Sequence, residues 1–321
     1  MEISKEMQQR LQDLQEKYNA MGQDLLSYLD GLLYADYLTY WDYIHVDTLL
    51  SLQSPKTSFP DEEIFIMYHQ ITELYFKLTL HELKQITGTE KPAPEWIKAR
   101  VKRINAYFEN LTRSFEIMIA GMEVEQFLKF RMSLLPASGF QSAQYRIIEV
   151  YATPFIELVD KEVKEKYREQ KNVPIAELYQ HIYWKKGATE LATGKKTLTL
   201  KQFEQKYSEE IIATAEKMQG HTLFDKYQTL SPAEQQDEEL VKELKQFDLN
   251  VNVNWPLSHY KSAVRYLQKD PEDIKATGGT NWQKYLPPRF QLRIFYPQLW
   301  TSEELEEWGK GYKQVSGTTQ P

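Results

Sequence analysis

Residues 58–86 read SFPDEEIFIMYHQITELYFKLTLHELKQI, and this stretch decides the fold class. Ser58 is a helix-capping residue type and Pro60 suits a first turn. Asp61, Glu62 and Glu63 put negative charge where the helix dipole is positive. Ile64, Tyr68, Ile71, Tyr75 and Leu78 then recur at three- and four-residue steps. The spacing predicts one long helix with these five residues as its buried stripe.

The same periodicity extends outward in both directions. Residues 3–33 carry Met7, Leu11, Leu14, Tyr18, Met21, Leu25, Tyr28 and Leu32 at helical steps. Further helices are expected at 95–120, 139–169, 174–186, 200–218, 232–247 and 256–268, the last with Trp255 before it and Pro256 in its first turn. The stretch 187–200 has the turn residues of a connection, and 270–289, rich in Pro, Gly and Thr, reads as loop. The tail VSGTTQP is expected to fray. LRIFY at 292–296 is the best candidate for a strand. There is no internal repeat and no clear linker. The chain therefore reads as one all-α domain over 1–321, with residues 1–50 a helical arm suited to docking on a neighbouring subunit.

The 321 residues are enough to bury a substantial core without staples. They include no cysteine, which excludes disulfides, thiolate metal sites and cysteine nucleophiles. The net charge of −7 and the lack of a basic tract argue against a nucleic-acid partner. The N-terminal MEISKEMQQRLQDLQEKY is charged throughout, unlike a signal or transit peptide. No run approaches the ~20 apolar residues of a membrane helix. A soluble, cytoplasmic protein is expected. Aromatic residues make up 13% of the chain, enough for an aromatic-lined pocket or extensive interfaces, though composition alone also accounts for them.

Few motifs for chemistry are present. The six histidines lack the Glu-x-x-His spacing of a di-iron bundle, and no HExxH, GxGxxG, P-loop or GxSxG occurs. Ser-His-Asp triads assembled by the fold stay open. Isolated helical histidines remain. His69 follows Phe65 by four residues and shares its helix face, and His259 falls in the first turn or so of the helix after Trp255. One buried imidazole is what an axial haem ligand needs, and a second could face the other side of the ring. A lone histidine is more often an ordinary core or surface residue. Arg131 is more unusual. It sits among Phe127, Phe130, Leu134 and Leu135, just before the small-residue turn Pro136-Ala137-Ser138-Gly139.

Five blocks in order carry a resemblance: YWDYIHVDTLLSLQ at 40–53, DEEIFIMYHQITELYFKLTLHEL at 61–83, FRMSLLPASGFQSAQYR at 130–146, WPLSHYKSAVRYL at 255–267 and TGGTNWQKYL at 277–286. Together they resemble the tryptophan 2,3-dioxygenase family, and FRxxLxPASGFQSxQxR is the most specific of them. The resemblance implies an all-α haem enzyme that binds L-tryptophan and O2. It inserts both oxygen atoms across the indole C2–C3 bond to give N-formyl-L-kynurenine, as a homotetramer built from two dimers. It further implies haem b held at iron by His259, with Ser138 and Gly139 along the haem. His69 would be the distal histidine meeting the indole N–H, and Phe65 and Phe127 would pack on the indole. Arg131 would bind the substrate carboxylate through its planar two-pronged donor. Thr277 would contact the ammonium. Tyr40, Tyr43 and Ile44, on the arm, would complete the pocket of an adjacent subunit. A loop at 275–282 with two adjacent glycines could close as a lid. The segment between His259 and Thr277 is longer than the family pattern, and residues 150–250 carry little that matches it. Two rival readings stand beside this one: a haem monooxygenase or peroxygenase acting on a tryptophan derivative, and a non-catalytic haem or amino-acid sensor.

Overall fold

A computed structural model describes residues 3–134, 138–170, 172–190, 193–267 and 287–311. Thr277, the proposed lid at 275–282 and the long segment after Leu267 lie outside the described residues.

The chain divides into two compact units, 1–54 and 55–321. The smaller contains α1 (Lys5–Ala20), α2 (Leu25–Leu33), α3 (Tyr40–Ile44) and α4 (Val46–Leu49). The single helix expected over 3–33 is broken. Gly22 takes a left-handed φ of 68°, and Asp24 then caps α2 by accepting from the Leu26 and Ser27 N–H groups. Of the described residues in this unit only Leu25 is buried, while Leu32, Leu33, Tyr34 and Tyr37 are 73–96% exposed.

The larger unit is built on α5 (Asp61–Gly88). Its start differs from the expected cap. Ser58 makes no capping bond; instead the fully buried Glu62 reaches back to the Lys56 and Thr57 N–H groups at 2.7 and 2.8 Å. The buried stripe is also rotated. Tyr68, Thr72, Phe76, Thr79, Leu80, Leu83 and Ile86 face the core, whereas Ile71 and Leu78 of the expected stripe are 44% and 43% exposed. They join Met67 and Leu74 on an outward apolar row at helical spacing. α5 is apolar on more than one side, so periodicity shows a helix and leaves open which side faces inward.

Two helices flank α5: α6 (Pro94–Ser114) and α9 (Ala143–Ala152). A second layer is supplied by α16 (Glu238–Leu249) on α6 and α13 (Leu198–Met218) on α9. Between α6 and α9 lie α7 (Glu116–Ala120) and α8 (Val124–Phe130). The helix expected over 139–169 is instead α9, a 3-10 turn at Phe155–Leu158 and α10 (Lys161–Arg168), interrupted at Thr153 and Pro154. The 174–186 helix is likewise two pieces, α11 (Ile175–Gln180) and α12 (Tyr183–Gly187).

α16 does not end before the next helix. It runs through a π-helical stretch, Asn250–Asn254, directly into α17 (Trp255–Leu267). All five π residues are buried, so this long helix passes through the centre of the unit. His259 is therefore in the interior of a helical run rather than in a first turn. No strand occurs among the described residues beyond two isolated bridges. LRIFY is irregular: Leu292 is left-handed at φ 48°, and the buried Phe295 and Tyr296 are fixed through their N–H groups to the Asp248 carboxylate. An apolar run tied to a helix end by a buried acid looks in sequence like a short strand.

Candidate active site

A cavity of ≈380 Å3 opens between α5, α9, α17 and the segments joining them, within the ~300–1,000 Å3 usual for small-molecule sites. Phe65, His69, Phe127, Ser138, Gly139 and His259, singled out in the sequence, all line it.

On α5, His69 Nδ1 lies 2.7 Å from the Phe65 carbonyl oxygen, one turn earlier. A carbonyl only accepts, so Nδ1 carries the proton and Nε2 is left as an acceptor. Burial lowers the His69 pKa, against the opposing pull of the Phe65 hydrogen bond and Glu73, so the ring is neutral near pH 7. The Phe65 ring lies 4.1 Å from the His69 ring and 6.2 Å from that of Phe127. Phe127 in turn lies 4.5 Å from Tyr266 of α17, giving one aromatic wall from three helices.

His259 sits between Phe115 and Trp255, each ring centroid 4.6 Å away. Its side chain makes no hydrogen bond among the described residues. Burial, with a smaller contribution from His69, pushes its pKa down to about 4. A neutral imidazole in an apolar seat, with no hydrogen-bond partner for its nitrogens among the described residues, is suited to hold a haem iron. No group of three or more His, Asp or Glu suited to a metal ion occurs among the described residues, so a non-haem centre has no ligand set there.

Arg131 closes the C-terminal end of α8 in a 3-10 turn. It is 6% exposed, and burial lowers its pKa from the ordinary guanidinium value. It is not among the residues lining the cavity, although Phe127 one turn earlier is. Leu135, Pro136 and Ala137, which follow it, lie outside the described residues. Ser138 opens a 3-10 turn by accepting from the Phe140 N–H, with Gln141 closing the reciprocal bond to the Ser138 N–H. This box places Gly139 at the cavity edge. Tyr40 and Tyr43 lie on α3 of the smaller unit at 72% and 73% exposure, and Ile44 ends that helix at 38%; every residue lining the cavity belongs to the larger unit.

The sequence reading missed part of the wall. Tyr145, Arg146, Tyr183 and Arg293 line the cavity, and Arg146 and Arg293 both pair with the fully buried Glu149. Arg146 is the last residue of the FRxxLxPASGFQSxQxR motif, a signal in plain view to which no role had been attached. Arg293 and Tyr183 come from stretches with no motif at all.

The family model described as tryptophan 2,3-dioxygenase matches residues 33–248. A tryptophan 2,3-dioxygenase from Ruegeria sp. (strain TM1040) is 42% identical over 120 residues, covering 36% of this chain and 42% of that protein. One from Bacillus thuringiensis subsp. konkukian is 29% identical over 272 residues, covering 82% of this chain and 91% of its own length. A third, from Sorangium cellulosum, is 40% identical over 124 residues, 35% of this chain and 30% of that protein. The family match takes in His69, Phe127, Arg131 and the Ser138–Gly139 turn, and with two-thirds of the sequence inside it the chain belongs to the tryptophan 2,3-dioxygenase family.

Proposed function

We propose that this cavity holds haem b through His259 and oxidises L-tryptophan with O2 to N-formyl-L-kynurenine. The observation that carries the reading is the pair of partly buried, neutral histidines lining one cavity, of which His259 makes no hydrogen bond among the described residues and His69 is oriented by one. The bound haem iron supplies the activation of dioxygen. The chain supplies position and dryness. Phe65, Phe127 and Tyr266 offer flat apolar faces to an indole. His69 Nε2 accepts from the indole N–H and so fixes which edge of the ring faces the iron; His69 is an orienting partner, with no proton transfer required of it. Arg131 takes the substrate carboxylate. It is buried one turn after Phe127, at the end of the helix whose Phe127 ring lines the cavity. Thr277, outside the described residues, is assigned to the substrate ammonium.

The reading includes a cytoplasmic homotetramer, a dimer of dimers, in which Tyr40, Tyr43 and Ile44 complete a neighbour's pocket. Two observations support association: the N-terminal unit buries almost nothing, and α5 carries the outward row Met67, Ile71, Leu74 and Leu78. No helix among the described residues is long and apolar enough to cross a membrane.

The test is a single turnover. The protein is loaded with haem, reduced, mixed with L-tryptophan and exposed to labelled dioxygen. A product carrying both labelled atoms, lost in Arg131→Ala, is expected. One labelled atom would make the chain a monooxygenase. No product despite a normal haem spectrum would leave a sensor.

A further inference from the structure

Arg146 and Arg293 line the cavity and share one fully buried carboxylate behind its wall, that of Glu149. Arg146 Nη1 lies 3.4 and 3.5 Å from the two Glu149 oxygens, and Arg293 Nη1 donates to the same Oε1. Tyr183 donates to Glu149 Oε1 at 2.6 Å while accepting from Arg146 Nη1 at 2.8 Å. Arg293 Nη2 donates to Tyr145 Oη and to the Val251 carbonyl at 2.8 and 3.1 Å. The cluster thus sets two permanent cations against one carboxylate. The carboxylate on the wall itself, Glu73, accepts from Gln144 and pairs with neither arginine.

The donors also outnumber the acceptors. Each guanidinium has five N–H groups. The Nε of both arginines is buried and has no partner, and Arg146 Nη2 makes no hydrogen bond among the described residues. Both side chains are nine-tenths or more buried, at 10% and 3% exposure. They are also held rigidly. The Arg146 guanidinium lies 5.2–5.8 Å from the rings of Phe140, Tyr145, Tyr183 and Trp184, and that of Arg293 lies 4.7 Å from Tyr183. An uncompensated cation fixed among aromatic rings, on the wall of a cavity, is a preformed seat for an anion.

We infer that Arg146, backed by Arg293, seats a carboxylate of the cavity's occupant, and that this carboxylate is a haem propionate. The inference rests on the haem reading above. Arg146 is on the same chain segment as the Ser138–Gly139 turn and Ser142, which line the same cavity, whereas Arg131, assigned to the substrate, is on the Phe127 side. Haem b brings two carboxylates and L-tryptophan one, so a single arginine cannot serve them all.

The full-length apoprotein would be titrated with haem b and with its dimethyl ester, followed by the Soret band. The wild type is expected to prefer the acid by roughly tenfold or more, the size of one charge-assisted hydrogen bond. Arg146→Met should abolish most of that preference while still binding the ester. Equal affinity of the wild type for acid and ester overturns the inference and leaves the haem reading standing; binding of neither overturns both. An Arg146→Met protein that keeps the preference but no longer binds L-tryptophan would move the carboxylate to the substrate and also overturn it. Should Arg146→Met fail to fold, Arg146→Gln takes its place and is read in the same way.

Discussion

Replacing His69 with phenylalanine keeps a ring at 4.1 Å from Phe65 and removes the acceptor nitrogen. The Nδ1 bond to the Phe65 carbonyl at 2.7 Å commits Nε2 to accepting, so the variant leaves the indole N–H unpaired in an apolar cavity. A buried donor without a partner costs about 1–3 kcal/mol. That corresponds to a fall of roughly 5- to 150-fold in kcat/KM for L-tryptophan. With 1-methyl-L-tryptophan, which has no N–H to lose, the ratio of wild type to His69→Phe should collapse toward one. Steady-state oxidation of both substrates by the two haem-loaded proteins measures this. Equal losses for both would refute the hydrogen-bonding role and leave packing. A pH profile provides an independent check. Burial lowers the His69 pKa below 6.5, so the neutral ring persists as pH falls through that value. The acid limb of kcat/KM should stay flat through pH 6.5 and drop only below it; a half-loss at or above 6.5 would contradict the assignment.

Arg131→Met should raise KM for L-tryptophan by roughly tenfold or more and leave tryptamine, which lacks the carboxylate, little affected; equal effects on both would move Arg131 to a purely structural role. Phe76 is 2% exposed and touches Tyr145, Trp255 and Phe108 at 5.4, 5.8 and 6.1 Å between ring centroids. Phe76→Ala should cost about 3–5 kcal/mol in urea unfolding, and a cost under about 1 would mean that the site collapses or that this packing is absent. Asp248→Ala removes the acceptor for the Phe295 and Tyr296 N–H groups, Trp300 Nε1 and Asn252 Nδ2. It should destabilise the fold by about 3 kcal/mol or more and expose Trp300, read by a red-shifted emission; unchanged emission would show the segment held by other contacts. Burial raises the Asp248 carboxyl from 3.8 to about 6, so the folded state favours the protonated acid. That contribution is complete below pH 3.8 and is lost as pH rises through about 6, and Asp248→Asn should flatten the stability profile across this window. An identical profile in the variant would assign the dependence elsewhere.

Much of the site was legible because its residues are close in sequence. His69 and Phe65 are one helical turn apart, and Phe127, Ser138 and Gly139 of the cavity lining fall within thirteen consecutive residues, so local pattern and motif sufficed. The helix at 61–88 was legible for the same reason. Its facing was legible only in part: Tyr68 is buried as expected, but Ile71 and Leu78 are as apolar as any core residue, and only the packing of α6 and α9 selects Thr72, Phe76 and Leu80 in their place. Arg293 escaped notice because its meaning depends on Glu149, 144 positions away, and on a carbonyl in the π stretch. Helix breaks at Asp24 and Thr153 were masked because apolar steps continue across them. Asp248 was unreadable as a clamp: an acid ending an amphipathic helix is ordinarily a solvated one, and its burial is decided by a segment 47 to 52 residues later.

The buried asparagines of the central helix bear on how His259 is held. A helix that is buried on every side has no polar face to set its rotation or its depth. Residues 250–254 are such a case, yet three of the five are asparagines. Asn250 accepts from Gln246 and Asn254 at 2.9 and 3.0 Å and donates to Asn105 of α6 at 3.2 Å, while Asn105 donates to the Glu243 carbonyl at 3.0 Å. Asn252 donates to Asp248, and the Val251 carbonyl accepts from Tyr145 of α9 at 2.7 Å. Sliding or rotating this helix by one residue would strand several buried polar groups together, a far larger penalty than apolar contacts alone could impose. His259 follows the last of these asparagines by five residues along α17, so the same network that fixes the register of the π stretch also fixes where the imidazole meets the cavity.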